Sequence, residues 1–191
     1  MTHRARADLG IVRPSDVAPT PWANGFGVTR VLAARPAWRI SLAEIEGRMP
    51  FSPFPGADRV LIPLGVEGLT LAIGDEERFV PQHAGAVFRG EDLVFADTGR
   101  GSGSVVTFMT RRESGRMRWR VRSVDGAITE EGVDVAVVLR GDVMVGTEAL
   151  PPGTVIGREL LADVESRAGG TVVLIHLIAH RMASPISLPF P

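Results

Sequence analysis

Apolar and polar side chains alternate along several segments of the chain with a period of two, the repeat of a β-strand that has one buried face. In segment 38–43 the even positions are Trp, Ile and Leu, whereas the odd positions are Arg, Ser and Ala. In segment 117–122 the odd positions are Met, Trp and Val, and the even positions are all Arg. Each segment therefore predicts a strand with one face in the core.

Segments 133–139 and 171–179 carry branched apolar residues at both odd and even positions, which is typical of central strands covered on both sides. Short apolar runs predict further strands at 28–33, 59–64, 69–73, 86–88, 93–96 and 105–109. Turns are expected at Gly65, at Gly74-Asp75 and at 99–103, and the glycine-rich stretch 99–104 is interpreted as a flexible hairpin tip. Because helical periodicity is almost absent, the sequence predicts an all-β sandwich or barrel.

The polar stretch 111–115 interrupts this strand pattern and is interpreted as the junction of two halves, 1–112 and 113–191. A chain of 191 residues is long enough to bury one core, or two small sheets that share one. We therefore expect two halves packed as one unit, with the candidate ligand pocket in the first half.

The composition excludes several classes of chemistry and of partner. The chain has no Cys, which removes disulfides, thiolate metal sites and cysteine nucleophiles and favours a cytoplasmic location. It also has no Lys and no Tyr, so Schiff-base lysine and tyrosine acid–base chemistry are excluded. A formal net charge of -1 gives no global positive field for nucleic acid. The longest apolar run, 171–179, is too short to cross a bilayer, and segment 1–10 is unlike a signal peptide.

Segment 21–30 is the most distinctive part of the sequence. Gly25 and Gly27 permit close approach of the backbone, Asn24 offers amide donors and an acceptor, and Thr29 follows at the start of a predicted strand. Such a loop can present backbone N–H groups to an anion. The alternative interpretation is a β-turn that leads into a strand.

Segment 51–59 is a second candidate for binding. Its prolines stiffen the backbone, Phe51 and Phe54 form an apolar wall, and Ser52 and Arg59 supply polar groups of the kind that recognise a carboxylate. The alternative interpretation is a purely structural network in which Asp58 and Arg59 pin the loop.

These two segments, together with 38–45, 89–91 and 108–112, make the chain resemble the HutD/Ves family. The likeness is strongest over residues 19–112, and beyond them only the strand pattern agrees. The resemblance implies a bacterial fold of two cupin-like β-sandwich or barrel halves packed as one bicupin unit, within the RmlC-like cupin superfamily. It also implies frequent association with histidine-degradation genes, no established enzymatic activity, and the binding of a small carboxylate metabolite.

The chain departs from the family pattern at two places. The family prefers Asn-Gly-Gly-Gly where Phe26 separates two glycines here. It also prefers Asp-x-Asn-x-Met where this chain has Val105, Thr107 and Met109. If the replaced acid and amide belong to the pocket, the departure predicts a more apolar ligand or a site that has lost its binding function.

Metal binding is the usual alternative for a cupin, because metallocupins use a His-x-His pair with a nearby Glu and a later His. No His-x-His occurs in this chain. His3 lies near the N-terminus, His83 is isolated, and His176 and His180 are four residues apart, which is about 13 Å along a strand. We therefore expect no metal and no other cofactor.

The even positions of 116–122 are all Arg and form the densest basic stretch together with Arg111 and Arg112. Because no aromatic side chain lies on the same strand face and Glu130 and its acidic neighbours follow, a solvated, partly paired edge is favoured over a nucleic-acid site. His176 shares a strand face with apolar residues and is interpreted as a hydrogen-bonded core or interface histidine.

The leading hypothesis is a metal-free, non-enzymatic module that binds a small carboxylate and regulates histidine utilisation or a related amino-acid catabolism. The predicted ligand-binding residues are Asn24, Arg59 and Ser52 for polar contacts, Phe51 and Phe54 for the wall, and Gly25, Gly27 and Thr29 in the first loop.

Two other hypotheses stay open. One is a metal-free isomerase or hydrolase acting on a small sugar or organic acid, with Glu44, Glu91 and His83 as acid–base candidates and no assigned catalytic residue. The other is a structural role, in which the two loops brace a homodimer. The sequence does not fix the oligomeric state.

Overall fold

The computed structural model describes residues 8–22 and 25–179. Their regular secondary structure consists of short 3-10 helices at Pro14–Asp16 and Arg158–Asp163 and of strands. The strands of the first half are β1 (Ile11–Val12), β2 (Thr20–Pro21), β3 (Val28–Arg35), β4 (Trp38–Pro50), β5 (Ala57–Pro63), β6 (Gly68–Ile73), β7 (Glu76–Pro81), β8 (Ala86–Arg89) and β9 (Val94–Arg111). Those of the second half are β10 (Gly115–Val124), β11 (Val135–Gly141), β12 (Met144–Val145), β13 (Glu148–Ala149), β14 (Val155–Gly157), β15 (Val164–Glu165) and β16 (Gly170–Ala179). The predicted all-β fold class is confirmed.

The strands form two main sheets and one small one. The sheet of the first half has the order β2-β3-β4-β9-β5-β8, and β6 pairs with both β7 and β9. The second main sheet has the order β1-β14-β11-β16-β10, and the small sheet has the order β13-β12-β15. No helix in the described ranges has the length and hydropathy to cross a membrane.

The chain passes from one main sheet to the other at the predicted junction, because β9 ends at Arg111 and β10 begins at Gly115. The N-terminal strand β1 nevertheless pairs with β14 of the second sheet, where Ile11 is opposite Ile156. The division of the chain into domains at residues 112 and 113 stays a prediction.

The core sits between and within the two sheets. One apolar cluster joins them, with Leu42, Ile62 and Phe108 from the first half packed with Val137 and Val173 from the second. Separate clusters fill the interior of each half. Strands β4, β5 and β9 therefore bury one face against the other half and the opposite face inside their own half.

Two predictions from the sequence are wrong. Segment 38–43 has two buried faces, because Arg39, Ser41 and Ala43 are 7%, 1% and 3% exposed. The glycine-rich stretch 99–104 is not a hairpin tip but part of the continuous strand β9. It pairs with β4 across a register shift between Glu46 and Arg48, so main-chain pairing extends a strand through residues that usually mark turns.

Candidate functional site

A cavity of about 920 Å³ opens in the first half, on the face of the sheet that points into that half. Strands β2, β3, β4, β5 and β9 supply its walls, and segment 50–54 closes one side. Its lining residues include Trp22, Thr29, Val31, Arg39, Ser41, Phe51, Ser52, Phe54, Arg59, Thr107 and Met109.

Two arginines and a methionine form a row across the strands at the cavity. Arg39 of β4 is opposite Met109 of β9, and Met109 is opposite Arg59 of β5. Strand β8, which pairs with β5, continues the row with Phe88 opposite Arg59. Because strands lie about 4.8 Å apart, the two arginine backbones are separated by roughly 10 Å of sheet.

A second cross-strand pair of polar side chains lies on β4 and β9, two residues along each strand from Arg39 and Met109. Ser41 is opposite Thr107, and their hydroxyl oxygens are 2.9 Å apart in a buried hydrogen bond. Arg39, Ser41, Thr107 and Met109 share one face because strand side chains alternate with a period of two.

The Arg59 guanidinium is buried among aromatic rings and has no acidic partner in the described residues. Its carbon Cζ lies 5.0, 5.3 and 5.0 Å from the ring centroids of Phe51, Phe54 and Phe88. Nη1 donates a hydrogen bond to the Ser52 carbonyl at 2.9 Å. Nε is buried without a hydrogen-bond partner in the described part of the chain. The site therefore holds a buried cation with unused hydrogen-bonding capacity.

The electrostatics of the row follow from burial and like charge. Burial and, to a smaller extent, the positive charge of Arg39 together lower the pKa of Arg59 to about 9. Burial also lowers the pKa of Arg39, whose Cζ lies 4.8 Å from the Phe54 centroid. The cavity therefore presents positive potential in a region shielded from water, which favours an anion.

Segment 51–58 is held in place by Gly90 and Arg112. Phe54 N donates to Gly90 O, and Gly90 N donates to Ala57 O, both at 2.7 Å. Arg112 Nη1 donates to Asp58 Oδ1 and to the Ala57 carbonyl, both at 2.9 Å. The interpretation in which Asp58 pairs with Arg59 is therefore wrong, because Asp58 pairs with Arg112 and leaves Arg59 to the cavity.

Arg112 also holds Glu91, the residue after Gly90. The hydrogen bond from Arg112 is the largest cause that lowers the pKa of Glu91. Asp58 and Glu91 in turn raise the pKa of Arg112. The segments 89–91 and 108–112 of the family resemblance thus serve to fix the loop that covers the cavity.

The structure places five of the predicted site residues at the cavity. They are Thr29, Phe51, Ser52, Phe54 and Arg59.

Of the other three predicted site residues, only Gly25 and Gly27 are described by the structure, and both lie outside the cavity lining. Gly25 and Gly27 form a turn, in which Gly25 N donates to Trp22 O at 2.9 Å and Trp22 N donates to Gly27 O at 2.8 Å. Gly25 has a φ of 74° there, which favours glycine. These glycines place Trp22 and do not line the cavity, and Asn24 lies outside the described residues.

Arg39 and Ser41 line the cavity although the sequence pattern did not indicate them as site residues, and Thr107 and Met109 were indicated only by a family pattern. The signal was present in the alternation of segment 38–43. Its polar face faces an internal cavity, and a period of two does not distinguish a cavity from solvent.

The acid–base candidates of the enzyme hypothesis lie away from the cavity. Glu44 pairs with Arg30, and Glu91 pairs with Arg112. His83 has a φ of 62°, and a backbone hydrogen bond involving Leu139 of the other half acts on its pKa. Among the described residues that line the cavity there is no carboxylate and no imidazole.

The other described histidine, His176, and two arginines of segment 116–122 contact an acidic residue, whereas His3 and His180 lie outside the described residues. His176 Nδ1 is 2.9 Å from Gly132 O, and Nε2 is 3.3 Å from Glu130 Oε1. Glu130 also pairs with Arg120 and Arg122. The described residues bring together no group of three His, Cys, Asp or Glu side chains suited to a metal.

Comparison with sequence relatives points to one family. The HutD family model matches residues 14–160. Protein Ves of Citrobacter koseri is 32% identical over 139 residues, which are 68% of this chain and 72% of the relative. An uncharacterised 21.2 kDa protein of the hutC 3' region of Pseudomonas putida is 30% identical over 96 residues, 46% of this chain and 50% of the relative.

Solved structures show the same fold. A conserved protein of unknown function from Pseudomonas aeruginosa PAO1 superposes with a TM-score of 0.75 at 22% identity, covering 89% of this chain and 98% of the other. HutD from Pseudomonas fluorescens SBW25 superposes with a TM-score of 0.70 at 23% identity, covering 90% of this chain and 98% of the other. A cupin 2 conserved barrel domain protein from Leptotrichia buccalis superposes with a TM-score of 0.57 at 12% identity, covering 87% of this chain and 99% of the other. The chain has a cupin fold and belongs to the HutD family.

Proposed function

We propose that this protein binds a small carboxylate in the cavity of its first half, with Arg59 as the main cationic contact and Arg39 as the second. One observation carries the proposal. Arg59 is 3% exposed and reaches the cavity without an acidic partner among the described residues.

The energetics of burial explain why such an arrangement indicates a ligand. A guanidinium removed from water loses hydration worth several kcal/mol, which a neutral carbonyl and aromatic rings offset only in part. A buried structural arginine is normally paired with a carboxylate, and in this chain even the partly exposed Arg112 is paired with Asp58. A carboxylate ligand would occupy the planar fork of N–H donors and supply the missing charge.

A binding role is favoured over acid–base catalysis because the described lining offers cations and hydroxyls but no proton-transfer group that titrates near neutrality. The hutC 3' region named for the Pseudomonas putida relative supports a regulatory link to histidine utilisation. The formate condition named for the Pseudomonas fluorescens structure supports testing the simplest carboxylates first. Cytoplasmic location, homodimer formation, and the absence of metal, nucleic-acid and membrane partners stay predictions.

The test is a thermal-shift and calorimetric panel on the full chain, with formate, acetate, glutamate, formylglutamate and urocanate. At least one carboxylate should raise the melting temperature in a concentration-dependent way. The Arg59→Met variant should lose that shift. The exposed residue Arg118 provides a matched control, because Arg118→Met removes the same charge from the surface and should keep the shift. A shift that survives in Arg59→Met would refute the proposal.

A further inference from the structure

The lining of the cavity also restricts what is attached to the carboxylate. We propose that the ligand is a monocarboxylate with an apolar body and no ammonium group, such as an arylalkanoate. This inference rests on the proposed function, because it concerns the same cavity and the same anchoring arginines.

The hydroxyl groups of the cavity are mostly engaged within the protein. Thr29 Oγ1 donates to the Leu42 carbonyl at 3.1 Å. Ser41 and Thr107 share one hydrogen bond at 2.9 Å, which leaves a single hydroxyl proton of that pair for a ligand. Thr20 and Ser52 add two further hydroxyl groups at the cavity. Beyond the arginines, the wall therefore offers few hydrogen-bond donors to a ligand with several polar groups.

The rest of the wall is apolar and partly aromatic. Trp22, Val31, Phe51 and Met109 line the cavity, and the rings of Trp22 and Phe51 lie 5.5 Å apart at 34° to each other. Side chains of this kind gain free energy by covering apolar ligand surface and stack well on a planar ring. An aromatic or branched hydrocarbon body fits them, whereas a hydrated polar chain does not.

The charge of the cavity acts against an ammonium group. A free amino acid carries its ammonium next to its carboxylate, so that anchoring the carboxylate on Arg59 would bring a third cation close to the two guanidinium groups. The described lining residues include no acidic side chain to receive it. A second carboxylate directed toward the aliphatic side chain of Val31 would lose its hydration without gaining a donor.

The test is titration calorimetry of the full chain with four probes: 3-phenylpropanoate, phenylalanine, glutarate and acetate. Phenylalanine has the carbon skeleton of 3-phenylpropanoate and adds only the ammonium. We expect 3-phenylpropanoate to bind at least about tenfold more tightly than each of the other three probes, and to lose this binding in Arg59→Met.

The nearly isosteric substitution Val31→Thr tests the contribution of the apolar ligand body separately from that of the carboxylate. It should weaken 3-phenylpropanoate by about threefold or more and leave acetate unchanged, because only the wall becomes polar. Val121→Thr places the same change on an exposed strand position and should affect neither probe.

Each outcome decides between the two proposals. If phenylalanine, glutarate or acetate binds as tightly as 3-phenylpropanoate and depends on Arg59, the inference about the ligand body is overturned while the carboxylate function stands. If no carboxylate binds, or if binding persists in Arg59→Met, the proposed function itself fails.

Discussion

Arg39 and Arg59 lie in one cross-strand row, each directly opposite Met109 on the strand between them. Both guanidinium groups also approach one ring, because their Cζ atoms are 4.8 and 5.3 Å from the centroid of Phe54. Burial is the main reason that the pKa of Arg59 is lowered, and repulsion by the Arg39 charge adds to it. The free protein therefore holds this row at a cost in folding free energy that a bound anion would reduce.

This relationship predicts that removing the Arg59 charge stabilises the protein. Arg59→Met keeps an unbranched side chain in the cavity wall but removes the buried cation, so we expect the free energy of unfolding to rise by about 1–2 kcal/mol. Urea denaturation followed by tryptophan fluorescence measures it. The same substitution at Arg112 should instead lower the stability, because Arg112 pairs with Asp58 and Glu91. A loss of stability in Arg59→Met would identify Arg59 as a structural residue.

A second prediction concerns Gly90, which supports segment 50–54 at one side of the cavity. A Cβ atom at residue 90 would lie 2.0 Å from the Phe54 carbonyl oxygen, so Gly90→Ala must displace the segment that carries Ser52 and Phe54. We expect a loss of about 1–3 kcal/mol in the free energy of unfolding, as is typical of overpacking, together with weaker carboxylate binding.

The matched control for this substitution is Gly101→Ala. Residue 101 also lies next to a strand pairing, but a Cβ there meets nothing within 4 Å. Its stability and ligand affinity should equal those of the unmodified chain. If Gly90→Ala behaves like Gly101→Ala in both measurements, Gly90 does not position the loop.

Much of the fold could be predicted from the sequence, because strand periodicity and the punctuation by Gly and Pro are local signals. The segment 51–59 could be predicted as part of the site because its residue types are unusual together. Arg39 could not be found in this way. It alternates with Trp38 and Ile40 as a solvent-facing residue would, and only the closure of the first half over that face turns it into a cavity residue.

The strand through 99–104 could not be predicted for a related reason. Glycine and serine are locally compatible with a turn, and Gly99 keeps a φ of 68° at the register shift. Residues 102–104 pair with β4, with Ser102 opposite Glu46 and Ser104 opposite Glu44. Pairing across more than fifty residues of sequence is tertiary information. The role of Asp58 was misread similarly, because its partner Arg112 is distant in sequence while Arg59 is adjacent.

A third prediction follows from the pKa of Arg59, which is about 9 in the free protein. A bound carboxylate favours the charged guanidinium, so the complex binds more protons than the free protein above that pH, and affinity must fall as the pH rises through about 9. Acetate affinity measured by calorimetry should be constant between about pH 6 and 8, where Arg59 is charged and acetate is ionised. An affinity that stays constant up to about pH 10.5 would show that the Arg59 charge does not respond in this way.

The last prediction concerns His83, at the contact between the two halves. Burial lowers the pKa of His83 below its usual 6.5, Arg140 lowers it further, and a backbone hydrogen bond involving Leu139 opposes the shift. Its buried Nε2 has no hydrogen-bond partner in the described residues. The folded state therefore binds fewer protons at this histidine than the unfolded state, and the stability should fall as the pH decreases below about 6.5.

The variant His83→Asn tests this assignment, because Asn tolerates the φ of 62° at this position but does not titrate. The free energy of unfolding should be measured by urea denaturation between about pH 5 and 7.5, the range in which a histidine gains its charge. Below about pH 6.5 the free energy of unfolding should decrease less steeply with falling pH in the variant than in the unmodified chain. Above about pH 6.5 the two proteins should show nearly the same pH dependence. If the two proteins show the same slope throughout, the charge on His83 does not weaken the contact between the halves.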